Sequence, residues 1–286
     1  MNLHEASLSI VKGIETALQE KKGFLVGRNG TIELQVLCAP GLFSNQLVIL
    51  EKNAGVFPAQ ETSVRTWKSM TEKAIQDSDI LAAGWYAPLV DDEKHLFMRL
   101  HVKATQVPLR ALEPYYVPFV YRWTNLLEGR RVAIVSSFAK TCMAQLEKKK
   151  EIWPDSWDSL LPDATYLPVP TGYSSSIACG SAEWPAPITN WVDACKYVVD
   201  TCCKENAEIV LIGCGGLGMP IAQYLKEKGK ICIVMGGAIQ VLFGIKGRRW
   251  ANHEIISQFW NDAWTWPALD ETPGSAHLVE NSCYWA

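Results

Sequence analysis

The sequence predicts a doubly wound α/β domain built on a parallel sheet, and three stretches carry that prediction. Glu208–Gly213 (EIVLIG) and Ile231–Met235 (ICIVM) are continuous apolar strands, joined by a helical stretch that ends at Lys228. Arg131–Ser137 (RVAIVSS) is a third such strand, followed by a lysine-rich helix. A strand that is apolar at every position is buried on both faces, and strand–helix–strand alternation supplies the covering helices through right-handed crossovers. The expected architecture is Rossmann-like, a single domain over residues 1–249 with a Trp-rich extension over 250–286 packed on it.

Each element follows from local pattern. In Leu3–Leu18, Ile10, Val11, Ile14, Ala17 and Leu18 recur at helical spacing, and Gly23 follows a lysine-bearing last turn as a stop signal. Phe24–Val26 is a short buried strand that runs into Gly27-Arg28-Asn29-Gly30-Thr31, after which IELQVLC opens a helix. Residues 62–76 form another helix and Ile80–Trp85 (ILAAGW) a strand. After Arg131–Ser137 comes a helix from Lys140 to about Lys150. Thr165–Pro170 (TYLPVP) is a weaker strand, because proline cannot donate to a ladder. Residues 188–204 place Trp191, Val192, Cys195, Val198, Val199 and Cys202 on one helix face, so these cysteines belong to the core.

Composition narrows the functional classes. The 286 residues are 48% hydrophobic and 20% charged, which excludes intrinsic disorder. Lys and Arg number 27 against 30 acidic residues, so the net charge of −3 argues against a nucleic-acid coat while leaving room for a local cationic pocket. No apolar run approaches the roughly 18 residues that span a bilayer, and MNLHEASLSIVKG lacks the unbroken apolar stretch of a secretory signal. The nine Cys contain no CxxC and the five His no HExxH, so neither a disulfide framework nor a zinc site is expected, and a cytoplasmic location fits.

In sheets of this type ligands sit beyond the carboxyl ends of the strands. The loops to read are therefore Gly27–Glu33, Trp85–Glu93, Ser136–Lys140, Gly213–Gly218 and Gly236–Arg249. Gly213-Cys214-Gly215-Gly216-Leu217-Gly218 is a GxGxxG between a strand and a helix, a turn that can present amides to a phosphate or can simply allow tight packing. A dinucleotide or S-adenosylmethionine site would want an acid at the end of the next strand, where this chain has Gly236-Gly237. That second turn is followed by Gln240 and by GIKGRR, whose Lys246, Arg248 and Arg249 suit a diphosphate leaving group or, equally, a solvated helix end. Arg28 and Glu33 flank a helix start; Glu33 could ligate a metal, act as a base, hold a sugar hydroxyl, or only complement the dipole. Asp77-Ser78-Asp79 has a DxD pattern but lies at the wrong edge, and Asp91-Asp92-Glu93 reads as a solvated loop.

Several strings together resemble one family. Leu112–Tyr116 (LEPYY), Trp123–Phe138, IGCGGLGMPIA, Gly236–Trp250 (GGAIQVLFGIKGRRW) and the terminal CYW are similar to glycosyltransferases encoded among cell-surface polysaccharide genes, of the GT-D fold class. The resemblance runs from Gly27 to Trp285 and is most specific in Gly236–Trp250. It implies a Rossmann-like domain with an R-x-G-D-G-E type motif, in which Arg28, Gly30 and Glu33 match the Arg, first Gly and Glu, while Thr31 replaces the Asp and Ile32 the second Gly. One acid of the family's metal-binding pair is thus absent. Ser136–Phe138 (SSF) also departs from the small residue, Pro and Phe of relatives.

The resulting expectation is a transferase that moves a sugar from a UDP- or GDP-linked donor to a glycan hydroxyl. Glu33 and Arg28 are the catalytic candidates. The donor would lie on Gly30, Thr31, Gly213, Gly215, Gly218, Gly236, Gly237, Gln240, Lys246, Arg248 and Arg249, with Glu33 the one ligand left for Mn or Mg. Tyr115, Tyr116 and some of the 12 Trp could stack on sugar faces. The alternative is an NAD(P)-dependent oxidoreductase or a methyltransferase that uses the GCGGLG turn.

Overall fold

A computed structural model describes residues 1–286. The apolar runs become seven strands: β1 (Phe24–Arg28), β2 (Ile80–Ala82), β3 (Thr105–Val107), β4 (Arg131–Ser136), β5 (Thr165–Pro170), β6 (Ile209–Gly213) and β7 (Ile231–Val234). They pair in parallel throughout, in the order β3-β2-β1-β7-β6-β4-β5. The α/β fold with an all-parallel sheet is the one the sequence predicts.

Side-chain alternation along the strands divides the interior in two. Phe24, Val26, Val132, Ile134, Ile209, Leu211, Ile231 and Ile233 point to one face, and Leu25, Ala133, Val135, Val210, Ile212, Cys232 and Val234 to the other. This is the period-2 geometry of a strand with a core on each side. The first face is covered by α1 (Leu3–Glu20), the irregular segment around Ala111–Leu127, and the C-terminal Trp250, Trp264 and Trp285. The second is covered by α2 (Thr31–Cys38), α3 (Ser44–Ala54), α4 (Glu61–Gln76), α5 (Val90–Arg99) and the helices Trp191–Lys204 and Gly218–Glu227. No helix is long and apolar enough to cross a membrane.

Local chemistry sets the ends of these elements. α1 starts with a capping box, in which Asn2 accepts from the Glu5 amide and Glu5 from the Asn2 amide. It runs two residues past the expected end and stops on Lys21 in the left-handed region, φ 53°. The expected helix to Lys150 instead breaks after Leu146, and a separate turn covers Lys149–Ile152. Asp91-Asp92-Glu93 is not a loop but the first turn of α5, where acids complement the helix dipole. Asp79 accepts from the Leu25 amide at 2.8 Å and pairs with Lys226 at 2.7 Å, which ties the DxD string to the strand entry edge. Pro168 and Pro170 are tolerated because β5 is an edge strand.

The Trp-rich extension is anchored by Glu271, whose carboxylate accepts from the amides of Lys140 (2.8 Å) and Thr141 (3.2 Å) and from the Thr141 hydroxyl. It caps the helix Ala139–Leu146 from a segment 130 residues away. Trp285 then donates to the Glu271 carbonyl at 3.2 Å.

Candidate active site

Strand order locates the site. From β1 the chain moves outward to β2 and β3, while β7 is reached from β6 on the opposite side, so the loops leaving β1 and β7 diverge. A crevice at such a switch point is where open α/β sheets bind ligands. Here it is a cleft of about 310 Å³. Arg28, Gly30, Thr31, Glu33, Gly213, Gly215, Gly236, Gly237, Gln240 and Arg249 all line it, as do Glu113, Glu280 and Tyr284.

The turn after β7 is shaped around two guanidinium groups. Gly236 has φ +57°, and a Cβ there would lie 3.2 Å from Arg28 Nη1. A Cβ on Gly237 would lie 3.2 Å from Arg249 Nη1. The paired glycines therefore let one arginine approach each side of the turn. Arg28 stacks on Trp85, with 4.8 Å from Cζ to the ring centre. Arg249 stacks on Tyr284 at 4.6 Å, donates to its hydroxyl at 3.0 Å, and pairs with Glu280 at 2.9 Å.

Three predicted donor contacts lie elsewhere. The Lys246 ammonium sits 5.6 Å over the Trp260 ring, and its carbonyl accepts from Gln240 Nε2 at 2.8 Å. Arg248 is exposed outside the cleft. Gly218 is buried, and a Cβ there would press on Val234 at 3.2 Å. Of the three cations in GIKGRR, only Arg249 reaches the site, because the short helical turn Arg248–Trp250 directs neighbouring side chains apart. The other glycines of the first turn serve close packing as well. A Cβ on Gly213 would meet Ile239 at 2.4 Å, and one on Gly215 (φ +58°) would meet the Ala54 carbonyl at 2.9 Å. Trp67 donates to the Gly216 carbonyl at 2.7 Å. This turn forms the floor of the cleft with the C-terminal end of α3 laid against it.

Glu33 stands in the first turn of α2 and folds back toward the helix start, so that a Cβ on Gly30 would fall 2.1 Å from its Oε2. Burial pushes its carboxyl above the ordinary range, its own amide and Arg28 oppose that, and Glu280 adds to it. Glu113 is the acid that sequence reading missed. Burial pushes it up to about 7, against the pull of Arg28 and Arg110. Its one sequence signal is a lone carboxylate inside the otherwise apolar and aromatic string LEPYY. Glu280 comes from irregular chain near the C-terminus and carries no motif, while Tyr284 lies in the terminal CYW string.

Ten buried side-chain polar atoms lack a protein partner, and seven of them belong to residues of this cleft. They are both amide atoms of Asn29, Thr71 Oγ1, Trp85 Nε1, Tyr115 Oη, Trp184 Nε1 and Gln240 Oε1. A buried polar group without a partner costs about 1–3 kcal/mol, so these atoms would favour a polar occupant of the cleft over an apolar one. The donor set does not suit a divalent cation. Glu33 is the only acid in Gly27–Glu33, Glu280 is paired with Arg249, and no group of three His, Cys, Asp or Glu side chains converges anywhere.

No family model matches this chain, and no curated protein matches it. Among solved structures it is similar to one described as the highly conserved domain of unknown function 1792 with a distinct glycosyltransferase fold. That match has a TM-score of 0.48 and 10% identity over 94% of this chain and 95% of the other. It is likewise similar to a selenomethionine-substituted structure of domain of unknown function 1792, with a TM-score of 0.46 and 10% identity over 83% and 82% of the two chains.

Proposed function

We propose that the cleft binds a nucleotide-diphosphate sugar and transfers its glycosyl group to the hydroxyl of a glycan acceptor. The observation that carries this reading is the pair of guanidinium groups, Arg28 and Arg249, seated on the consecutive glycines of the β7 turn. A diphosphate leaving as the glycosidic bond breaks gains negative charge, and preorganised donors at fixed positions stabilise that charge in the transition state. Arginine presents two parallel N–H groups to phosphate oxygens. With no acid pair for a metal, Arg28 supplies countercharge directly, and Arg249, paired with Glu280 at 2.9 Å, adds its own as the diphosphate displaces that carboxylate. Asn29 and Gln240 offer buried, unpartnered amide atoms to the nucleotide or sugar. Glu33, 9% exposed and folded back over Gly30, would hold a hydroxyl of the donor sugar. The nine unpaired cysteines fit a reducing compartment such as the cytoplasm.

A dinucleotide or S-adenosylmethionine reading meets two obstacles. β7 lies directly beside β6, yet its end carries Met235-Gly236-Gly237 where a ribose-binding acid would stand. The glycine turn after β6 is also met by the Ala54 carbonyl.

Thermal unfolding with UDP, GDP, their sugar conjugates, NAD(P) and S-adenosylmethionine separates these readings. A ligand at 100 times its Kd adds about 2.7 kcal/mol, a rise of roughly 4–5 °C for a chain of this length. Stabilisation by a nucleoside diphosphate or its sugar is expected. Stabilisation by NAD(P) or S-adenosylmethionine alone overturns the proposal. Glu33→Gln, whose amide can still hold a hydroxyl, should lower transfer about tenfold while the protein stays folded.

A further inference from the structure

A second cleft, of about 680 Å³, opens beside the first. It lies beyond the carboxyl ends of β2 and β3, on the same edge of the sheet, and shares Trp85, Glu113 and Trp250 with the first cleft. Its own wall includes Glu93, Arg110 and Tyr116. Glu93 is 2% exposed. One of its oxygens accepts from the Gly84 amide at 2.7 Å, and the other, Oε1, has no partner. Trp85 Nε1 is likewise unpartnered. Arg110 is stacked on Tyr116 at 4.8 Å, mirroring the stacking of Arg28 on Trp85. Glu113 lines both clefts, and Arg28 from the first and Arg110 from the second both favour its charged form.

We infer that the second cleft receives the acceptor, a neutral polyhydroxylated molecule of the carbohydrate class, and that Glu113 in the shared wall takes the proton of its attacking hydroxyl. The inference rests on the glycosyl-transfer reading. Two carboxyl groups with free acceptor oxygens, an indole N–H without a partner and an apolar lining match hydroxyls above and C–H faces below. An anionic ligand would instead face both Glu93 and Glu113. The acceptor oxygen forms a bond to the anomeric carbon, and its proton passes to the Glu113 carboxylate. The bond from the anomeric carbon to the β-phosphate oxygen breaks, and its electron pair leaves with the diphosphate toward Arg28 and Arg249. A base within reach of the reacting hydroxyl contributes typically 10²–10⁴-fold.

The test uses the whole protein and ligand-observed NMR. Methyl glycosides of glucose, galactose, mannose and N-acetylglucosamine probe the second cleft, glucuronic acid serves as the anionic control, and UDP and GDP probe the first. At least one neutral glycoside should bind, remain bound when the nucleotide is added, and weaken about tenfold or more in Glu93→Gln and in Tyr116→Ala, while nucleotide affinity changes less than twofold. Absence of binding by every neutral glycoside, preference for glucuronic acid, displacement by the nucleotide, or indifference to both substitutions overturns the acceptor assignment. Failure of both nucleotides to bind, with a glycoside still held, removes the donor reading and leaves a sugar-binding cleft. For the proton transfer, Glu113→Gln should lower the transfer rate at least about 100-fold and abolish its rise with pH through about 7. Transfer at the wild-type rate excludes Glu113 as the base.

Discussion

Alanine at Gly236 and at Gly237 perturbs the two guanidinium groups through different backbones. Gly236 sits at φ +57°, and an L-residue in that region costs about 1–2 kcal/mol. The entropy that alanine removes from the unfolded chain returns about 0.4–1 kcal/mol, so Gly236→Ala should lose about 1 kcal/mol of stability. Its new Cβ would stand 3.2 Å from Arg28 Nη1 and 3.4 Å from Cζ, so the guanidinium must give by a few tenths of an ångström while it stays stacked on Trp85. Gly237, at φ −63° and ψ −17°, already has a conformation open to alanine. Its Cβ would meet Arg249 Nη1 at 3.2 Å and Trp250 at 3.4 Å. Gly237→Ala should therefore stay within about 0.5 kcal/mol of wild type. Both variants move a donor off its mark, and a charge-assisted hydrogen bond is worth about 1.5–3 kcal/mol, so each should weaken the nucleoside diphosphate about tenfold. Urea unfolding followed by Trp fluorescence gives the first quantity and calorimetric titration with UDP or GDP the second. Equal stability of the two variants would refute the backbone argument. Wild-type nucleotide affinity in both would show that the guanidinium pair is not where the diphosphate lies.

Glu113 makes stability depend on pH. Its folded-state value of about 7 exceeds the ordinary 4.5, so its contribution is present in full below about 4.5 and is lost as pH rises through about 7. Glu113→Gln should flatten that decline, as measured by urea midpoints between the two values; an unchanged slope would assign the decline to other groups. Transfer activity should persist within twofold after exhaustive EDTA treatment, because Arg28 and Arg249 carry the countercharge. A loss restored by Mn²⁺ or Mg²⁺ would contradict the donor-set argument. Glu271→Ala leaves two buried amides and a hydroxyl of residues Lys140–Thr141 uncapped and should cost about 2–3 kcal/mol in urea unfolding; a cost below about 0.5 kcal/mol would deny it an anchoring role.

The central strands were legible because each is an unbroken β-branched or apolar run, and such runs fit only a doubly covered sheet. TYLPVP was legible as a weak strand for a physical reason the fold bears out: its prolines lie on an edge. β3 escaped notice because two of its three residues, Thr105 and Gln106, are polar and exposed at the sheet edge, whereas the equally short β2 is wholly apolar and buried. α5 was obscured by Asp91-Asp92-Glu93, an acid run that reads alike in a loop and in a first helical turn. Within the site, Arg28, Gly30 and Glu33 were visible because turn, cap and charge fall within six residues of sequence. Lys246 and Arg248 were misplaced because proximity in GIKGRR does not determine side-chain direction in a helical turn. Glu113 and Tyr284 lie in the strings LEPYY and CYW, but their arrival at the cleft, like that of Glu280, comes from tertiary packing that no local pattern states.

The neighbours β1 and β7 are separated by some 207 residues of chain. During synthesis on the ribosome the edge of β1 that will face β7 stays unpaired until most of the polypeptide has emerged. Long-range parallel pairing is slow and leaves an open strand edge exposed to other chains. The cleft, which both strands frame, is accordingly among the last features to be assembled, and a nascent chain halted before Ile231 would lack it.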